Sequence, residues 1–272
     1  MDVAQQIADY ASSNGYEIYN MRGETVNRLE KVSSATVGFP DKAGYRHFME
    51  KEIHEQPESA ARTLSNYIDV VNRRIMKTGS CAWPSADRLI GSACGTAYYA
   101  AAISKYWFER YSRLPVELDV ASEFRYRTPV LTNKDRAIFI SQSGETADTL
   151  AALRYCKANN VPTIGIVNVP ESSIARDCET VLHTYAGVEI GVASTKAFTS
   201  QLTALACTAV GAAQERASLS DNEIGDLVDA LLEAPRHLNE VLDIEGEVIK
   251  VAKRLSKARD VLFLGRGQFF PL

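Results

Sequence analysis

From residue 88 onward, short apolar runs alternate with longer stretches of helical period. Candidate strands cover 88–92, 116–120, 137–140, 163–167 and 181–184. Helical stretches intervene at 96–111 and 146–159. A long one follows at 194–216, where Phe198, Leu202, Leu205 and Val210 approximate one helix face. Apolar strands bounded by turns, with helices between them, predict a parallel sheet covered on both faces. The expected fold is therefore a doubly wound α/β domain over residues 76–240. Right-handed crossovers then put any ligand site at the carboxyl ends of its strands.

The flanking regions follow other patterns. Residues 16–33 read as a polar hairpin: 16–19 alternates, 21–24 turns and 25–29 returns. Two strands alone are marginal in water, so residues 1–34 are expected to be the end of another domain. A connector with Gly38, Pro40 and Gly44 leads into a helical stretch, 45–75, broken once at Pro57. Near the other end, residues 260–267 repeat the pattern of 87–95, an apolar run opening into a glycine turn. A helical stretch at 244–257 precedes the second copy. Residues 241–272 are thus expected to begin a second, similar unit, with the chain reading as a piece of a longer protein.

Composition narrows the function classes. Hydrophobic residues make up 46% and charged residues 24% of the 272 positions, ordinary globular usage. A net charge of −4 argues against a general nucleic-acid binder, because affinity for the phosphate backbone comes from clustered Lys and Arg. A phosphate bound here is expected to be small and held locally. Five cysteines at irregular spacing suggest neither a zinc site nor a disulfide framework. No signal peptide and no membrane span is legible, so a reducing cytoplasm is the expected compartment.

The sharpest chemical signal lies at 137–146, where an apolar strand ends in Ser141, Gln142, Ser143, Gly144, Glu145 and Thr146. Backbone N–H groups at a helix start lack intrahelical partners, and the dipole there favours an anion. Ser141, Ser143 and Thr146 add hydroxyls that can turn toward phosphate oxygens. Taken alone, the pattern reads equally as an N-cap and an ordinary first turn. Glu145 is awkward beside a phosphate, unless it points away and complements a helix dipole. Cys94, Gly95, Thr96 and Ala97 form a second strand-to-helix turn. A third loop, 189–196, enters the long helix, and its Lys196 reads as solvated rather than as a phosphate ligand. The four histidines show no metal-ligand spacing, and no cofactor is implied.

Together, the Met49-Glu50-Lys51-Glu52-Ile53-His54-Glu55-Gln56-Pro57 segment, Cys94-Gly95-Thr96, the serine loop with Ala147-Asp148-Thr149-Leu150, and Glu189-Ile190-Gly191-Val192-Ala193-Ser194-Thr195-Lys196-Ala197-Phe198 resemble the glucosamine-6-phosphate synthases. These are also called glutamine–fructose-6-phosphate aminotransferases (isomerizing). Any sugar isomerase (SIS) domain could show the serine loop alone; four motifs in this order are narrower. The resemblance implies that the first SIS domain binds fructose 6-phosphate. Ser141, Ser143 and Thr146 would hold the phosphate, and Thr96 and Gln142 would contact the sugar phosphate. Val192, Ala193 and Ser194 would line the pocket. Ala97 stands where the family usually has serine, so only its backbone N–H remains. The resemblance also implies a homodimeric parent enzyme that makes glucosamine 6-phosphate. The family's glutaminase cysteine and its lysine, glutamate and histidine for isomerisation have no counterparts here, so only binding residues are assigned. An SIS regulator and a stand-alone phosphosugar isomerase are the competing readings. The first lacks a DNA-binding element or basic patch, and the second leaves the 51–57 linker and the glutaminase-like start unexplained.

Overall fold

The computed structural model describes residues 17–27, 41–76 and 81–271. The chain divides into a unit of residues 1–39 and one of 40–272. In the first, the described residues form a tight turn. Tyr19 and Thr25 make an antiparallel bridge, and Val26 N–H donates to the Ile18 carbonyl at 2.8 Å. The Asn20 side chain accepts from the N–H groups of Arg22 and Glu24. Gly23 supplies the positive φ of 77°. The remainder of the expected hairpin, residue 16 and 28–33, lies outside the described residues.

The second unit begins with α1 (Phe48–His54) and α2 (Gln56–Ser65). Pro57 sits in the first turn of α2, where its missing N–H costs nothing, so the interruption falls at Glu55. The expected helix through residue 75 is not continuous. Instead β1 (Ile68–Asp69) and β2 (Arg74–Ile75) pair antiparallel. The cause is turn chemistry: Asp69 accepts from the N–H of Asn72, and Arg73 adopts φ +48°.

Five strands follow: β3 (Arg88–Ala93), β4 (Val116–Val120), β5 (Asp135–Ser141), β6 (Thr163–Val167) and β7 (Thr180–His183). All pair in parallel, in the order β4-β3-β5-β6-β7. The helices between and after them are α3 (Gly95–Trp107), α4 (Ala121–Phe124), α5 (Ala147–Ala158), α6 (Ser173–Asp177) and α7 (Lys196–Arg216). Successive strand residues point to opposite faces, and both faces are covered. Leu89, Ile138, Ile140, Ile164 and Leu182 pack with Ala100 and Ala101 of α3 and with Ala204 and Leu205 of α7. Ile90, Ala137, Phe139 and Val167 pack with Phe124 and with Ala152, Leu153 and Cys156 of α5. Each fully buried Leu or Ile contributes about 1.5–3 kcal/mol. The central strands β3, β5 and β6 are buried along nearly their whole length for this reason, while the edge strand β4 alternates apolar and polar residues, and the doubly wound fold is the one the pattern predicts.

A charge network locks the amino ends of the three strands at one side. Arg88 holds Asp135 through Nε (3.0 Å) and Nη2 (2.9 Å), and holds Glu117 through Nη1 (2.6 Å). Arg127 adds a second contact to Glu117 at 2.6 Å. Burial pushes the Asp135 carboxyl up, but Arg88 and the Thr132 N–H outweigh it and hold the group below its ordinary value.

The chain continues through α8 (Asp221–Leu232), α9 (Ala234–Leu242) and α10 (Glu245–Leu255). None of the described residues beyond 241 forms a strand, so the second copy of the strand pattern does not become one here. Leu262, Phe263 and Leu264 are more than 80% exposed. An isolated strand cannot satisfy its own backbone groups, and among the described residues no neighbouring strand reaches this segment.

Candidate functional site

The sheet order itself points to a site. From β3 the chain moves outward to β4 on one side and then crosses to β5 on the other. The crevice between the carboxyl ends of β3 and β5 is the topological switch point, where doubly wound folds bind ligands. The two turns that leave these strand ends are 94–97 and 141–146.

The 141–146 loop is compact and rich in hydroxyls. The hydroxyls of Ser141 and Thr146 lie 2.9 Å apart, and Ser141 Oγ accepts from the N–H of Gly144 at 3.0 Å. Ser143 is exposed, and its Oγ accepts from the N–H of Glu145. Gly144 has φ +66°, and a Cβ there would lie 2.0 Å from Ser172 Oγ, so the position requires glycine. Thr146 is the extended residue that opens α5, and no side chain caps that helix. The N–H groups of its first turn are donors without intrahelical partners. Glu145 turns aside: its Oε1 accepts from the N–H of Ser173 at 2.7 Å, at the start of α6. The carboxylate is thus occupied away from the start of α5.

At the other turn, Gly95 has φ +56° and opens α3, again with no side-chain cap. Thr96 is exposed and Ala97 is 9% exposed, so the missing hydroxyl falls at the edge of the core. The loop into α7 is built differently. Glu189 Oε1 accepts from the N–H groups of Thr195 (2.9 Å) and Ala197 (3.1 Å), and its Oε2 accepts from the Ser194 hydroxyl (3.2 Å). Val192 and Ala193 are exposed at its tip, and no hydrogen bond described here joins them to the serine loop. Lys196 departs from its expected solvated state. It is 5% exposed, with Nζ 2.6 Å from Glu55 Oε2. Burial pushes the Glu55 carboxyl up, but Lys196 and Lys51 outweigh it and hold it below the ordinary value.

Asn168 escapes a sequence reading, because nothing in its spacing marks it. Its N–H donates to the Gln142 carbonyl at 3.3 Å, and its Oδ1 accepts from the Ala186 N–H (2.8 Å) and the Thr184 hydroxyl (3.2 Å). Its Nδ2 donates to the Gly187 carbonyl at 2.8 Å. This one residue, through its backbone N–H and its side-chain amide, joins the loops after β5, β6 and β7. Burial pushes the thiols of Cys81, Cys156, Cys178 and Cys207 up to about 12, which leaves them inert. Among the described residues no cluster could hold a metal ion, and no helix is long and apolar enough to cross a membrane.

Residues 84–211 match the SIS domain family. Over 261 residues the chain is 53% identical to a glutamine–fructose-6-phosphate aminotransferase (isomerizing) of Bradyrhizobium diazoefficiens, covering 95% of this chain and 43% of that protein. It belongs to the glutamine–fructose-6-phosphate aminotransferase family. The protein of the same name from Mesorhizobium japonicum is 52% identical over 94% of the chain and 42% of its own length. The chain therefore spans less than half the length of these curated aminotransferases. Its fold also matches the C-terminal domain of the aminotransferase from Francisella tularensis. That match has a TM-score of 0.82 and 39% identity, and it covers 85% of this chain and 66% of the other.

Proposed function

We propose that the 141–146 loop anchors the phosphate of fructose 6-phosphate. In this reading the chain is the sugar-phosphate-binding part of an enzyme that converts fructose 6-phosphate and glutamine to glucosamine 6-phosphate and glutamate, in the first step of amino-sugar synthesis. The observation that carries the reading is the start of α5 at the switch point. There uncapped N–H groups and the hydroxyl pair of Ser141 and Thr146 converge, and Glu145 is turned away to α6. Such a cradle holds a dianion without a formal positive charge. Ser143 adds a third hydroxyl, and Thr96, Gln142 and the Ala97 N–H contact the sugar phosphate. Val192, Ala193 and Ser194 line the same pocket.

The parent acts in the cytoplasm as a homodimer and engages no nucleic acid. Residues 1–34 are the end of its glutaminase domain, 76–240 the first SIS domain and 241–272 the start of the second. The residues assigned here bind and orient; none is assigned to proton transfer.

The test is calorimetric titration of fructose 6-phosphate into the wild-type protein and its Ser143→Ala and Thr146→Ala variants. Each hydrogen bond to a charged group is worth about 1.5–3 kcal/mol, so each variant is expected to bind about ten- to a hundredfold more weakly. If both bind like wild type, the loop is a helix start and nothing more.

A further inference from the structure

The 49–57 segment, central to the family resemblance, contributes nothing to the phosphate cradle. Its acidic residues nevertheless reach the loop into α7. Glu52 is 2% exposed, although it is a carboxylate on a short helix. Its Oε1 accepts from the N–H of Ile190 at 2.6 Å and of Gly191 at 3.1 Å, and its Oε2 accepts from the Gly191 N–H at 3.0 Å. A Cβ on Gly191 would lie 2.5 Å from Glu52 Oε2 and 3.4 Å from the Met49 Cα, so the loop backbone is seated directly on α1. Three residues on, Glu55 holds Lys196, and the neighbouring Gln56 side chain meets the Thr199 hydroxyl. Glu189 meanwhile fixes residues 194, 195 and 197 from within the loop. The 192–194 turn is therefore clamped on both sides while Val192 and Ala193 remain exposed.

Burying the Glu52 carboxylate costs free energy that the loop N–H groups offset, and the same bonds fix the backbone of that loop. We propose that Glu52 is a positioning residue: it sets the backbone of 190–191 so that the 192–194 turn presents itself to the sugar moiety of the ligand. This rests on the sugar-phosphate site proposed above. It assigns the 49–57 segment a second task besides connecting regions, namely shaping one wall of the pocket from outside it.

The two walls predict a signature that a merely structural role lacks. Phosphate is gripped by the 141–146 loop, whereas the 192–194 turn touches the sugar. Calorimetric titration with fructose 6-phosphate and with inorganic phosphate separates them. Glu52→Ala is expected to weaken fructose 6-phosphate about tenfold, the equivalent of one lost charged hydrogen bond, and to leave inorganic phosphate unchanged. Glu52→Gln retains an acceptor of the same length and is expected to recover most of the loss. Amide exchange at Ile190 and Gly191 is expected to accelerate in Glu52→Ala only. Should that variant fail to fold, Gly191→Ala forces the same contact apart with Glu52 in place and is expected to give the same selective loss. Equal weakening of both ligands, or of neither, overturns the proposal. If Ser143→Ala and Thr146→Ala also bind phosphate like wild type, the site reading fails first; if they weaken it and Glu52→Ala does not affect the sugar phosphate, only the positioning role fails.

Discussion

Helices α5 and α7 both begin on the side of the sheet where the strands end, but their first turns are finished differently. At α7 the chain supplies its own anion: Glu189 takes the N–H groups of Thr195 and Ala197 and the hydroxyl of Ser194. At α5 the loop carboxylate, Glu145, is spent on α6, Asp148 of the first turn caps nothing, and hydroxyls surround an uncapped helix start. Dipole and orphan donors are the same at both helices, so they cannot by themselves mark a ligand site. What distinguishes α5 is that no loop carboxylate takes its first N–H groups, as Glu189 does at α7.

The comparison breaks most severely at Gly144. Gly144→Val places a branched side chain at φ +66° and against Ser172. Strain of about 1–3 kcal/mol is expected from the backbone alone, with more from the clash. Sugar-phosphate binding should vanish, and thermal melting with titration checks both effects. Ser143→Asp attacks the contrast from another direction, by giving α5 the kind of internal anion that α7 already has. Phosphate affinity should fall about a hundredfold through charge repulsion at short range, while the melting temperature holds or rises; unchanged affinity would place the phosphate elsewhere.

The reverse exchange is Glu189→Ala, which strips α7 of its cap. A lost N-cap costs about 0.5–2 kcal/mol, so a modest drop in stability is expected in denaturant titration. The first turn of α7 should also become weakly responsive to added phosphate, detectable as amide shifts at Thr195 and Ala197. The smallest effect concerns His183, at the end of β7 between the two helix starts in sequence. Burial lowers its pKa, so the folded state binds the proton less readily than the unfolded chain. Its contribution to stability is present above the unfolded value of about 6.5 and is lost as pH falls below it. Melting should therefore decline between pH 7 and pH 5, and His183→Gln should flatten that limb.

Much of this architecture is legible in the sequence because its central strands, β3, β5 and β6, are buried on both faces. All five parallel strands fall within two residues of the apolar runs, and α5 starts one residue after its expected position. The failures have physical causes. Residues 66–75 carry enough apolar positions to pass for helix, but Asp69 and Asn72 form a turn. Residues 260–264 repeat the local pattern of β3 and form no strand, because a strand is made by its neighbours. Lys196 resembles any first-turn lysine; only the fold brings Glu55 to it across 141 positions. Asn168 is invisible for the same reason, since its importance lies in four contacts with two other loops.

The Arg88, Asp135 and Glu117 network lies at the end of the sheet opposite to these loops. Ladder alignment is thus secured away from the loops proposed above to meet the ligand. If the proposed site holds, a substitution in 94–97, 141–146 or 189–195 is expected to alter what is bound without loosening the register of the strands beneath. The division of labour makes the fold a tolerant platform for mutational drift: recognition can be rewritten in the loops while the charge-locked edge preserves the frame on which they stand.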